Sequence, residues 1–311
     1  MKNIIAYYYG MHIDKIIHRN DKYFFEYSNQ EYVFEPYNRP IEDIDSLYKI
    51  NGEMINSNIL VHEIVLNKEN KILTYVNNIP YILMEVFINK NAKVTLSEIC
   101  YINNSSINID CSKILDRSDW ITLWETKNDY FESQISEISV KYPILCSYAN
   151  YYIGLAENAI YYVREVLKIN EMVYKSICHK RINSKGGLYQ LYHPMSFICD
   201  FRVRDVAEYI KSAFFNEQDA YLLLDEYFKN NMVSYKEALL FYGRLLYPSY
   251  FFDTYDDIVN NNLNEKIIES IVLKSCLYED FLLYVHIYLT NLYNSYIPGI
   301  DWIIKRSLPI G

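Results

Sequence analysis

The opening part of the chain is built from short runs of β-branched and aromatic residues, and the rest from longer runs with helical spacing. Ile4 to Tyr9, Asp14 to His18, Tyr23 to Tyr27 and Glu31 to Tyr37 read as strands. Arg19-Asn20-Asp21 and Ser28-Asn29-Gln30 supply turns between them. Pro40 then opens a helix to about Ile55, with Ile44, Leu47, Tyr48 and Ile55 on one face. Strands follow over Ile59 to Leu66, Ile72 to Val76 and Pro80 to Phe87. From Thr95 onward the pattern is almost wholly helical. Ser118 to Ile138, Ile144 to Leu167, Ser234 to Leu246, Leu263 to Tyr278 and Asp280 to Tyr293 carry apolar residues at helical intervals. Ser118 and Ser234 are the expected N-caps, the second with Glu237 completing a capping box. The stretch 177–215 departs from this pattern. It reads as a strand end, a polar loop, a short hairpin and a helix with Val206, Tyr209, Ile210, Ala213 and Phe214 on its apolar face.

A chain of 311 residues supports two lobes, each with a core. The pattern divides it into a β-rich lobe over 1–87 and a helical lobe over 88–311. A net charge of −9 argues against non-specific binding to nucleic acid or to an anionic membrane. The 34 tyrosines accompany abundant Asn, Ile and Lys, the usage of an AT-rich genome; a protein rich in cross-linkable phenols is the sharper alternative. Tyr, Gly, His and Asp interrupt the N-terminal apolar run, so no signal peptide is expected. No apolar run reaches membrane-spanning length. The six cysteines lack CxxC spacing and read as reduced, mostly buried thiols in a protein made in the cytoplasm.

The order His179-Lys180-Arg181 after an apolar run, followed by Arg202-Val-Arg-Asp205 at a helix start, resembles the catalytic-loop region of aminoglycoside-phosphotransferase-type kinases. It is closer to the spore-coat kinase-like proteins of the CotS/YutH type. Asn150 to Ile160 and Phe241 to Pro248 look like segments of the YutH-type branch. Asp119-Trp120 through Trp124 to Phe131-Glu132 resembles its lobe-bridging helix. The resemblance implies an α+β, two-lobed protein-kinase-like fold, with a small antiparallel β lobe carrying one helix, then a large, mainly helical lobe.

It also implies where phosphoryl-transfer chemistry should lie, and most of that chemistry is missing. The turn His18-Arg19-Asn20-Asp21 has no glycine to cradle phosphate. The third strand, where a phosphate-pairing lysine is expected, carries Glu35; Lys22 or Lys49 would have to reach across. Arg181 stands where the catalytic Asp belongs, and arginine cannot accept a substrate proton. Asn183 is at the wrong spacing for the metal-binding Asn. The metal Asp should follow the hairpin near Leu188 to Tyr192, yet no acid lies between Arg181 and Cys199. His179, Arg181 and Asn183 are thus vestigial catalytic-loop positions, Asp205 a buried scaffold acid, and Asp200 a metal ligand only for a divergent enzyme. Arg202 and Arg204 are expected to be solvated or paired with Asp200 or Glu208. A zinc site from Cys178, His179, His193 and Cys199 fits no standard module. No Gly-x-Ser-x-Gly elbow supports a hydrolase.

The expected function is a catalytically inert, kinase-like spore-coat protein, without cofactor or metal, that binds other coat proteins and neither nucleic acid nor membrane. It would be made in the cytoplasm, in the mother cell of a spore former, and deposited on the coat. The alternatives are a divergent small-molecule phosphotransferase using ATP and Mg²⁺, and a module that binds a small ligand without turnover.

Overall fold

A computed structural model describes residues 1–86 and 92–305. The expected lobe boundary at 87/88, and Phe87 at the end of its strand, lie outside the described residues. The chain forms two compact units: Met1–Asp116 with Lys175–Arg181 and Gly186–Asp200, and Arg117–Tyr174 with Ile182–Lys185 and the chain from Phe201 onward.

The first unit contains α1 (Lys2–Tyr9), β1 (Ile17–Arg19), β2 (Lys22–Tyr27), β3 (Gln30–Pro36), α2 (Ile44–Asn56), β4 (Glu63–Val65), β5 (Leu73–Val76), β6 (Ile79–Val86) and α3 (Leu96–Ser105). The strands form one antiparallel sheet in the order β1-β2-β3-β6, with β4 and β5 both paired to the far edge of β6. Arg19 pairs with Lys22, so Asn20 and Asp21 alone close the first hairpin. Both adopt positive φ, 48° and 60°, as such a turn requires and as Asn and Asp tolerate.

The first run, expected as a strand, is instead the helix α1. Gly10 ends it at φ 76° with its N–H on the Ala6 carbonyl, and Ile5 is buried with Phe25, Phe34 and Leu83 on one face of the sheet. A six-residue apolar run satisfies either period, and the sheet core chose the helix. The β lobe therefore carries this helix besides α2. On α2 the buried face is Ile44, Leu47, Ile50, Asn51 and Met54, whereas Tyr48 is exposed. Asn51 justifies its burial by accepting from the Ile64 amide and donating to the His62 carbonyl. The strand expected over 59–66 is reduced to β4.

Cys111 and Cys199 form a disulfide, so the expectation of six thiols fails for this pair. The Cys199 amide donates to the Leu115 carbonyl, which lays the 111–116 segment beside Cys199 and brings together cysteines 88 residues apart. Cys100 and Cys178 are buried thiols, Cys146 is half-buried and Cys276 exposed. Closing so long a loop is worth roughly 2–4 kcal/mol. Urea unfolding with dithiothreitol should show that loss for the native chain and none for Cys111→Ser. Equal midpoints with and without reductant would mean that the bond contributes nothing.

The second unit comprises α4 (Trp120–Ile138), α5 (Pro143–Leu167), α7 (Val203–Phe215), α8 (Ala220–Asn230), α9 (Tyr235–Leu246), α10 (Ser249–Asn261), α11 (Ile267–Tyr293) and α12 (Asp301–Ile304). The intervening α6 (Leu188–Leu191) belongs to the first unit. Asp119, not Ser118, caps α4, through the Thr122 amide, while Ser234 and Glu237 form the expected capping box on α9. The two helices expected over 263–293 are one, α11. Its apolar residues run all round, so periodicity could not join the halves. Pro248 caps the start of α10, and Phe251 and Phe252 are buried with their rings stacked on Tyr152 and Phe131. From Lys236 to Leu246 every residue of α9 is buried, Leu245 included. A Cβ on Gly243 would lie 2.6 Å from a Val163 methyl, so α9 and α5 approach closely only with glycine there.

An ionic cluster lies inside this unit. The Lys211 ammonium donates to the carbonyls of Arg244 and Tyr247, to Ser249 Oγ and to Glu208, at 2.8–3.1 Å. Glu208 also takes Arg244 Nε at 2.6 Å and Ser249 Oγ at 2.8 Å. Lys211 thereby satisfies carbonyls that the end of α9 leaves open. Burial alone would raise the Glu208 carboxyl, but Lys211, Arg244 and Arg204 outweigh it and hold it well below the usual carboxylate range.

Candidate functional site

Glu35 lies next to the end of β3, a strand buried over Tyr32–Glu35, and its side chain is almost fully enclosed. A buried carboxylate requires compensation. Lys22 Nζ sits 2.6 Å from Oε2, and His193 Nε2 sits 3.0 Å from Oε1. His193 Nδ1 accepts the Met195 amide, which assigns the imidazole proton to the Nε2 edge facing Glu35. Burial pushes the Glu35 carboxyl up, but His193 and Lys22 prevail and hold it below its ordinary range. Lys22 therefore does reach across, but to neutralise Glu35. Lys49, the other cation considered, pairs with Asp110 at the surface.

Around this pair the unit is tied by polar contacts. Arg39 Nε and Nη2 both donate to Asp43 Oδ2, and Nη1 donates to the carbonyls of Met195 and Phe197. His62, fully buried, donates from Nε2 to the Tyr189 carbonyl at 3.0 Å, while its Nδ1 has no hydrogen-bond partner among the described residues. Burial and the nearby His193 push the His62 imidazole down to about 3, so it is neutral at physiological pH.

The catalytic-loop positions follow β7 (Lys175–His179). His179 is buried, donates from Nε2 to the Leu191 carbonyl at 2.6 Å and meets the Phe197 ring edge-on. The Lys180 amide donates to the Ser196 carbonyl, and the side chains of Lys180 and Arg181 are exposed. Asn183 belongs to the second unit. Its Oδ1 accepts the Lys185 amide and lies within hydrogen-bond range of Ser212 and Asn216.

The hairpin expected just before 188–192 is not there. That stretch is the one-turn helix α6, followed by a 3₁₀ turn over Pro194–Ser196. The strand that pairs with β7 is β8 (Phe197–Phe201), which places the buried Asp200 next to its end. Short apolar runs separated by polar residues fit strand or helix alike, which is how the register slipped. Cys199 is committed to its disulfide and unavailable to the zinc arrangement. Among the described residues no group of three or more His, Cys, Asp or Glu side chains could hold a metal ion. In the second unit Asp205 is fully buried in the first turn of α7 and accepts from Arg204 Nη1 at 2.8 Å. Arg202 makes a two-pronged pair with Glu237, a partner the sequence reading did not consider.

Within the first unit a pocket of about 810 Å³ is walled by the β1–β2 turn, the end of β3, β6 and the segments after β7 and α6. Asp21, Lys22, Glu35, Arg39, Lys180, Arg181 and His193 all line it. Arg181 and Glu35 are thereby brought to one site; Asp200 is not among its lining residues.

The family model described as "Spore coat putative kinase YutH" matches residues 2–282. This chain belongs to that spore coat YutH family. It is similar to the "Endospore coat-associated protein YutH" of Bacillus subtilis (strain 168), 30% identical over 176 residues. That match covers 50% of this chain and only 51% of the relative. Among solved structures it is similar to an aminoglycoside phosphotransferase from Alicyclobacillus acidocaldarius. The TM-score there is 0.66 at 9% identity, covering 94% of this chain and 97% of the other. A spectinomycin phosphotransferase, solved with ADP and spectinomycin, matches with TM-score 0.55 at 14% identity, over 86% of this chain and 91% of that one. The YutH-family chain therefore has the α+β, two-lobed kinase-like fold of the aminoglycoside phosphotransferases, with a small antiparallel β lobe and a larger helical lobe. Among the described residues no helix is long and apolar enough to cross a membrane.

Proposed function

We propose that this YutH-family protein is a spore-coat component that has kept the kinase fold, transfers no phosphate and works by binding other coat proteins. The observation that carries the reading is Glu35. A kinase of this type needs a cation at that place to hold phosphate, and here a buried carboxylate engages Lys22 and His193. The neighbouring hairpin supports it: closed by Asn20 and Asp21 alone, it offers no glycine-rich flap of backbone amides, and Asp21 adds a charge that repels phosphate. Arg181 cannot serve as base. The residues present do not fit Mg·ATP in the kinase manner. The reading requires no cofactor.

Thermal unfolding with and without millimolar Mg·ATP tests this. No Mg²⁺-dependent change is expected, whereas a nucleotide at a hundred times its dissociation constant would add about 2.7 kcal/mol. A Mg²⁺-dependent rise of several degrees would defeat the inert reading. Fractionation of sporulating cells tests the coat assignment, with the protein expected on the spore. A second reading, a divergent small-molecule phosphotransferase using ATP and Mg²⁺, is favoured by one observation: Asp200 lies next to the end of β8, the strand paired with β7, close to where a metal ligand would be needed.

A further inference from the structure

We propose that the exposed face of α11 pairs with the same face of a second copy of this chain, the two helices running antiparallel. One side of α11 carries Ile268, Tyr278, Phe281, Leu282, Val285 and Leu289 into the core of the helical unit. The opposite side is apolar too, and a helix apolar all round ordinarily has every side covered. Here Leu273 is 80% and Leu277 60% exposed, and Tyr284 and Ile287 are exposed as well. The helix is not apolar enough to cross a membrane, so spanning a bilayer does not account for them. Leu273, Leu277, Asp280, Tyr284, Ile287 and Asn291 follow one another at intervals of four and three, and all are exposed. That spacing keeps one stripe of a helix against a neighbouring helix.

A second copy fits this stripe because the stripe complements its own reverse, as a twofold pairing requires. With the axis at the level of Leu282, Leu277 meets the partner's Ile287, Leu273 the partner's Asn291 and Asp280 the partner's Tyr284. Asp280 is the one charged residue among the exposed positions from Leu273 to Leu292, and in this register a phenol can donate to its carboxylate. Sliding the pair by one heptad towards the N-termini would set Asp280 against the partner's Leu277, a carboxylate desolvated on hydrocarbon. Tyr221 of α8 widens the face: it is exposed, its ring meets Tyr284 edge-on at 4.8 Å, and Leu222 beside it is exposed too. Each of these apolar side chains leaves roughly 50–100 Å² in water, so two copies together would cover about 1,000 Å², the lower bound for a specific interface. A dimer of micromolar affinity is the expected result.

Sedimentation equilibrium of the full chain from about 1 to 100 µM tests the proposal, and a reversible monomer–dimer equilibrium is expected. Leu277→Lys and Ile287→Glu should each weaken dimerisation at least about tenfold, with far-UV circular dichroism unchanged because both positions are exposed. The double variant sets lysine opposite glutamate twice and should dimerise severalfold more tightly than either single variant, a recovery that damaged folding would not produce. A chain that stays monomeric throughout the range, a dimer that neither substitution weakens, or a double variant no tighter than the singles would overturn the pairing. Flotation of the monomer with phosphatidylcholine vesicles would overturn it in favour of a lipid surface. None of these outcomes touches phosphate transfer, so the non-catalytic reading stands or falls separately.

Discussion

Glu208→Gln should lower the stability of the helical unit by about 3–5 kcal/mol, because it removes the one carboxylate shared by two enclosed cations. Lys211 and Arg244 both contact Glu208, and the Lys211 side chain is nearly inaccessible. The amide keeps the volume and one hydrogen-bonding oxygen but no charge, leaving ammonium and guanidinium without the carboxylate that contacts both. Burial already pushes the Lys211 ammonium down, to about 8, with Glu208 the chief opposing influence. Without Glu208 that lysine is driven towards its neutral form, and its hydrogen bonds to the Arg244 and Tyr247 carbonyls weaken with it. Urea unfolding followed by far-UV circular dichroism measures the loss. A change under about 1 kcal/mol would place the cluster with surface ion pairs, whose contribution is of that size.

Mild acid should destabilise the β unit before ordinary carboxylates titrate. His62 is held neutral in the fold at a pKa of about 3. In the unfolded chain it titrates near 6.5, so between these values the unfolded state binds the extra proton. The contribution is complete above pH 6.5 and lost as pH falls towards 3. From pH 6.5 to pH 4 the shift corresponds to roughly 3 kcal/mol. Glu35, held below the usual carboxylate range, adds a loss of the same sign in the β unit at lower pH, and Glu208 does so in the helical unit. Urea midpoints at pH 7, 6, 5 and 4 trace the slope, and His62→Leu should flatten it between 6.5 and 4 at the cost of the bond to the Tyr189 carbonyl. If native and variant chains lose stability in parallel over that interval, His62 is not the responsible group.

Missing a helix at the N-terminus followed from length: Ile4 to Tyr9 satisfies a period of two or of 3.6, and only the burial of Ile5 under the sheet decides. The ion pair at Glu35 could have been found. The Ser28-Asn29 turn sets Tyr27 opposite Gln30, and counting back through the register, where Tyr23 faces Phe34, brings Lys22 opposite Glu35. For His193 no such signal existed. It arrives from 158 positions further along the chain, and its own neighbourhood reads only as a turn. The disulfide was equally hidden, since spacing says nothing about two cysteines so far apart.

By itself, the sequence determined the local elements with enough length or punctuation to have one solution: the β2–β3 hairpin, the capping box that starts α9, the long α5 with Pro143 at its first turn, and the missing glycines and acids of a phosphate site. These rest on backbone chemistry acting within a few residues. Tertiary structure alone decided the strand that partners β7, the neutral state of His62, the partners of Glu35 and Glu208, and the convergence of Lys180 and Arg181 with the β1–β2 turn. Each depends on which distant groups share one desolvated space. Charge and burial act through distance in three dimensions, which the order of residues along the chain does not encode locally.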